Sequence, residues 1–193
     1  MEWVQNTITF LLSSDWKYLA IFLSGLVEGA PIIGSLYPGG TISFLIGTYA
    51  EVGAFSPWTA MILLIAGNFA GDMFGYYLGR YGHRFSIIKN MLEKEKFSNV
   101  WDVFERRLFY FIVLGRLIPV VRSIPSLLAG ARQIPVGRYV WYSLGGSALW
   151  GFAGTWGGFL LRDVLGKNAW MVIVGVTVIV VVYGLMKKYY KKV

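Results

Sequence analysis

The sequence predicts an all-α polytopic membrane protein, with three full spans and two opposed re-entrant helical hairpins arranged as an inverted repeat. Three observations carry that prediction. Hydrophobic residues fill 56% of the 193 positions and charged residues only 15%, whereas a soluble globular domain is about 45–50% apolar and about 25% charged. Three runs stay apolar for roughly the twenty residues a helix needs to cross a hydrocarbon core. Two further apolar stretches are broken by proline and glycine where an ordinary span would be continuous.

The elements follow in order along a single membrane domain. Residues 1–14 read as a short interfacial helix, with Trp3, Val4, Ile8, Phe10, Leu11 and Leu12 on its apolar side. No basic region precedes this stretch and Glu2 stands near its start, so it is not read as a secretory signal. Residues 16–50 form the first broken segment, interrupted by Pro31, Gly34, Pro38, Gly39 and Gly40. Proline removes a helical hydrogen bond and clashes with the preceding turn. Backbone broken in this way survives at membrane depth only where protein or trapped water satisfies it. The segment therefore reads as a re-entrant hairpin of two half-helices, with a pair of kinked spans as the alternative.

Residues 57–79 read as a full span with one charge, Asp72. Residues 80–107 are the one long polar stretch, a cytoplasmic amphipathic loop holding the single histidine, His83, read as a surface residue. Residues 108–131 are the second broken segment, interrupted by Pro119, Pro125 and Gly130, and carry the same two readings. Residues 139–161 and 169–186 are uncharged and read as full spans.

An internal repeat is visible. Glu28-x-x-Pro31 opens the first break and Arg116-x-x-Pro119 the second. A span with small residues every fourth position follows each: Gly67, Gly71, Gly75 and Gly79 in one, Ser143, Ser147, Gly151 and Thr155 in the other. Such stripes let helix backbones approach closely. Paired interrupted segments in two halves point to a transporter binding site at the repeat interface. The basic tail Lys187, Lys188, Lys191 and Lys192 places the C-terminus in the cytoplasm, and the two hairpins then enter from opposite faces.

Four charges stand at lipid depth: Glu28, Asp72, Arg116 and Arg122. An Asp, Lys or Arg costs about 2.5–3.5 kcal/mol at a helix centre by insertion scales, and ionisable groups at that depth face a bundle interior or a cavity. Two arginines in one broken hairpin make an anion site, since the guanidinium fork matches phosphate or carboxylate. Equally, both arginines can serve only to pair with Glu28 and Asp72. Glu28, balanced between desolvation and a nearby cation, is either a proton-coupling group or a fixed ion-pair partner. Asp72 shares a helical face with Asn68 and Tyr76, either as part of the site or as helix–helix glue. The net charge of +8 flanks apolar segments and so fits anionic headgroups rather than nucleic acid. With no cysteine and one histidine, thiolate chemistry and a histidine metal cluster are excluded, and neither cofactor nor metal is expected.

In order, Glu28-Gly-Ala-Pro31, Pro38-Gly39, Gly67-Asn68-x-x-Gly71-Asp72-x-x-Gly75-Tyr76, Gly115-Arg116-x-x-Pro119-x-x-Arg122-x-x-Pro125 and Ala129-Gly130 resemble the DedA family, also called the VTT or SNARE-associated Golgi protein family. The resemblance covers most of the chain. It implies a bacterial inner-membrane protein that moves lipids between leaflets, undecaprenyl phosphate or phosphatidylethanolamine, often driven by protons. It implies that Glu28 is the essential acid of the first hairpin and Arg116 and Arg122 the essential arginines of the second. Pro31, Pro38, Gly39, Asn68, Tyr76, Pro119 and Pro125 support them. One departure stands out: Gly40 occupies the place after Pro38-Gly39 where many members carry an acid. The expectation is a non-enzymatic lipid carrier. A small-ion or drug transporter and a non-transporting scaffold are the other classes.

Overall fold

The computed structural model describes residues 16–31, 33–82, 107–117, 122 and 124–165, and every regular element among them is helical. The helix expected at 1–14, His83 with most of the polar stretch, Pro119 and the span expected at 169–186 lie outside the described residues.

Both broken segments are broken where the prolines stand. Helix α1 (Trp16–Gly29) stops two residues before Pro31. A single helical turn, α2 (Ile33–Leu36), leads to Pro38, which caps α3 (Gly39–Glu51). The arms α1 and α3 run antiparallel. Lys17 near the start of α1 donates to the Ala54 carbonyl just beyond α3 (3.1 Å), and Ile21 shares a core cluster with Ala50 and Phe55. Ser24, deeper in α1, lies 3.1 Å from the Tyr37 hydroxyl just before α3. The first segment is therefore a hairpin with both ends at one end of the bundle and its tip at residues 30–38.

Ser56 and Pro57 then start the 25-residue helix α4 (Pro57–Tyr81), with proline at the first helical position, where its missing N–H costs nothing. It runs two residues beyond the expected span, so Arg80 belongs to this helix rather than to the polar stretch. The second hairpin has a short first arm, α5 (Leu108–Val113) followed by a 3-10 turn (Gly115–Leu117), and a second arm, α6 (Ile124–Ala131). The last described helix, α7 (Val136–Leu165), has 30 residues and overruns the expected 139–161 at both ends. Among the described residues α4 alone is long and apolar enough to cross a membrane by composition.

The packing has an approximate two-fold pattern. Helices α4 and α7 cross antiparallel at the centre, where Tyr76 stacks on Tyr139 (4.7 Å between rings) and Trp58 meets Trp156 (5.1 Å). Each hairpin lays its first arm along the long helix that follows it and its second arm along the other. Arm α1 lies parallel to α4, with the Phe22 and Leu26 carbonyls in the space a side chain would take on Gly67 and Gly71. Arm α3 lies on α7, with the Phe44 carbonyl over Gly158. Arm α5 also lies on α7, and α6 on the far half of α4. The second arms even end alike. Gly53 (φ +80°) and Gln133 (φ 53°) are left-handed, and the next amides, Ala54 and Ile134, return to the carbonyls of Tyr49 and Ala129, each at 3.1 Å. This Schellman turn satisfies carbonyls left over at the end of a helix. The two hairpins thus enter the bundle from opposite ends, and their tips meet between α4 and α7.

Candidate functional site

The meeting point of the tips is where the four charges gather. Glu28 sits in the last turn of α1 and is 1% exposed. Asp72 lies midway along α4, on one buried face with Asn68 and Tyr76. Arg116 is carried by the 3-10 turn and Arg122 by the tip beyond it, and both are buried. An isolated buried charge is prohibitively costly, so these groups need partners. They find each other in two separate pairs: Arg122 with Glu28, and Arg116 with Asp72.

The Glu28 carboxylate is fully enclosed. One oxygen accepts from Arg122 Nη1 and from the Trp150 indole (2.9 Å), and the other accepts from Ser43 Oγ (3.0 Å). A Cβ on Gly39 would fall on this carboxylate, so a larger residue there has to displace it. Arg122 also donates to the carbonyls of Gly34 and Tyr37, the latter at 2.9 Å. A guanidinium from the second hairpin thus satisfies backbone freed by the break in the first, the condition that a broken helix in a dry interior must meet. Pro31 is buried with its ring close to Gly75, Pro38 is exposed at the start of α3, and Pro125 is buried in the first turn of α6.

The second pair is built differently. Asp72 accepts from Arg116 Nη2 and from Ser143 Oγ (2.5 Å). Arg116 Nη1 donates to Ser147 (3.0 Å) and, more loosely, to Asn68 (3.4 Å). Tyr139 donates to the Asp72 carbonyl (3.3 Å). Everything around Asp72 therefore comes from the two long helices except Arg116 itself. Tyr76 donates to the Ile134 carbonyl and accepts from Arg80, tying the end of α4 to the turn after α6.

Both arginines keep one donor unused: Nε of Arg116 and Nε of Arg122 are buried with no hydrogen-bond partner. Buried polar atoms are nearly always satisfied, so each arginine has a donor that a further group could use. Among the described residues no cluster of His, Asp and Glu could hold a metal ion.

The sequence places all four charges together, but not the neutral donors. Ser43 and Trp150 are absent from the expected site, and Ser143 and Ser147 are read only as small spacers. Trp150 had a signal: an indole N–H midway along a long apolar helix needs a partner. Gly40, where an acid is expected, faces the Trp150 ring. Trp150→Phe removes one hydrogen bond to a charged group and should lower stability by about 1.5 kcal/mol. Unfolding in detergent followed by circular dichroism checks this, and an unchanged midpoint contradicts it.

Residues 38–160, from the first break through most of α7, match the VTT domain. An uncharacterized membrane protein of Synechocystis is 30% identical over 72% of this chain and 64% of its own length. One from Buchnera aphidicola is 26% identical over 77% of this chain and 58% of its own. The chain thus spans about three-fifths of these relatives. Protein DedA of Escherichia coli is 22% identical over 89% of this chain and 82% of that protein. No solved structure matches. The VTT match covers well over half of the chain and holds most of the charged centre, including both arginines and Asp72, so the chain belongs to the DedA (VTT domain) family of membrane proteins.

Proposed function

We propose that this chain carries an anionic lipid between the leaflets of the bacterial inner membrane, with undecaprenyl phosphate as the substrate, moved from the outer to the inner leaflet. The observation that carries the reading is the pair of guanidinia at the meeting tips, each tied to a carboxylate and each with a buried Nε to spare. A phosphate offers the oxygens that the arginine fork prefers and can take a carboxylate's place. The lipid tail would stay in the bilayer. A proton on Glu28 would release Arg122 for the phosphate, which couples carriage to proton movement. No bond of the lipid changes, so the chain is read as a carrier and not an enzyme.

The layout fits this reading. Two hairpins that turn back on themselves become re-entrant segments, and α4 and α7 become two of the expected spans. One end of the bundle carries Arg80, Arg107, Arg132 and Arg138. The other carries Lys17 and the Glu51–Arg162 pair (3.3 Å). The excess of arginine supports a cytoplasmic location for the first end, in line with the cytoplasmic C-terminus expected from the basic tail.

The test is leaflet transfer of labelled undecaprenyl phosphate in proteoliposomes, wild type against Arg122→Ala at equal incorporation. Wild-type transfer should slow by about 10- to 100-fold in the variant, the worth of one or two charge-assisted hydrogen bonds. Equal rates would remove the arginine site. Transfer of labelled phosphatidylethanolamine alone would make the chain a phosphatidylethanolamine flippase or scramblase. Movement of small ions or drugs without lipid would make it an ordinary solute transporter. Full complementation by the arginine variants would leave a scaffold.

A further inference from the structure

A second feature lies outside the charge pairs. Between the two arms of the first hairpin runs a groove of about 300 Å³. Ile21, Ile42, Ile46 and Phe55 make its walls, Lys17 stands at the open end of the hairpin, and Tyr37 lies towards the tip. Its polar groups are few and placed at the extremes. The Ser24 and Tyr37 hydroxyls bond each other at 3.1 Å, which leaves the inner end with little unmet polar demand. Among the described residues Lys17 donates to the Ala54 carbonyl at 3.1 Å and lies over the Tyr18 ring, 5.2 Å from its centre. An ammonium has three donors, so one carbonyl does not exhaust it.

We infer that this groove seats one hydrocarbon chain of an anionic lipid, whose phosphate rests on Lys17. Charge and direction select that occupant. The cation stands where the hairpin opens, and the trough leads inward from it between carbon walls. A lipid in a leaflet has the same polarity, with its head at the surface and its tail towards the midplane. The volume admits part of one chain and not a whole lipid, so the rest of the molecule stays in the bilayer. The inner end is close to the charge pairs: Tyr37 lines the groove with its side chain and holds Arg122 with its carbonyl. The groove is then a docking station ahead of the Arg122–Glu28 pair. This inference rests on the reading of the chain as a lipid carrier in the membrane.

Photolabelling tests it on the full chain in phosphatidylcholine vesicles. The probe is phosphatidylglycerol bearing a diazirine midway along one tail, with adducts mapped by peptide mass spectrometry. Adducts should concentrate on the stretch holding Ile42 and Ile46, above the yield at the outward-facing Phe74 and Phe152. A phosphatidylcholine probe should show no such preference. Lys17→Gln should lower groove adducts about fivefold, the effect of one lysine near an anionic headgroup. Ile46→Trp, which fills the trough, should remove them. If Ile46→Trp does not fold, Lys17→Gln alone decides. Equal labelling by both probes, or no change in Lys17→Gln, would mean ordinary surrounding lipid and overturn the inference. Groove labelling without leaflet transfer keeps the docking site and removes the carrier reading. Transfer without groove labelling does the reverse.

Discussion

Arg116→Ala is expected to destabilise the protein by about 3–5 kcal/mol, because it strands the Asp72 carboxylate in the interior with its cation gone. Among the described residues Asp72 keeps only Ser143 as a side-chain donor when Arg116 is removed. Ser147 and the amide oxygen of Asn68 lose the same donor. The companion variant Asp72→Asn should cost a comparable amount by leaving the guanidinium unpaired. Replacing both at once, Arg116→Met with Asp72→Leu, should restore most of the loss, since a buried ion pair is often no more stable than apolar residues of similar volume. Unfolding of the purified protein in mixed micelles measures all three. A single-variant loss under about 1 kcal/mol would place the pair in a wet, forgiving setting instead of a dry one. Arg122→Ala leaves Glu28 with Ser43 and Trp150 but strands the Gly34 and Tyr37 carbonyls as well, so its loss should be of the same order. Transport by that variant is therefore compared at equal incorporation of folded protein.

The second large effect is at the seam between α4 and α6. A Cβ on Gly130 would fall on the Tyr76 carbonyl and within 2.8 Å of the Arg80 amide nitrogen, and one on Gly79 would fall on the Leu127 carbonyl. The obstacles are backbone, which cannot swing aside as a side chain can. Gly130→Val should therefore unseat α6 from α4, at a cost of about 3 kcal/mol or more, the upper end for overpacking. Gly79→Val should do the same, and the double variant should lose less than the sum because one displacement relieves both clashes. Gly145, in the middle of α7, is exposed and has open space around its position. There Gly145→Ala should stabilise by about 0.5–1 kcal/mol, through helix propensity alone. Thermal melting of the set checks the contrast, and equal destabilisation at positions 130 and 145 would refute the seam.

Gly79 was legible in the sequence, because a four-residue stripe of small side chains has little use other than close helix contact; Gly130 read only as a break in the second segment. The breaks were legible too, since Pro31 and Pro38 cannot sit inside a continuous helix. So was the gathering of Glu28, Asp72, Arg116 and Arg122, which no lipid-facing surface would tolerate. Which acid takes which arginine was not legible. That depends on how far each hairpin reaches, and the tip of the second carries Arg122 past Asp72 to Glu28. Ser43, Ser143 and Ser147 were hidden for another reason. A serine in a membrane helix serves equally as spacer or as donor, and only the residue facing it decides. The short first arm of the second hairpin was also hidden, because Leu108–Val113 and the turn at Gly115 read as one apolar run.

The two pairs cancel: two carboxylates meet two guanidinia, and the buried centre carries no net charge. Such a centre has no charge of its own to lend a passenger. A phosphate crossing it without a companion cation would carry its full charge through the membrane voltage. With the cytoplasm negative, inward passage of each negative charge costs about 2.3 kcal/mol per 100 mV. Carriage in that direction would therefore be electrogenic and would slow as the cell polarises, unless a proton travels with each charge and leaves the voltage nothing to act on.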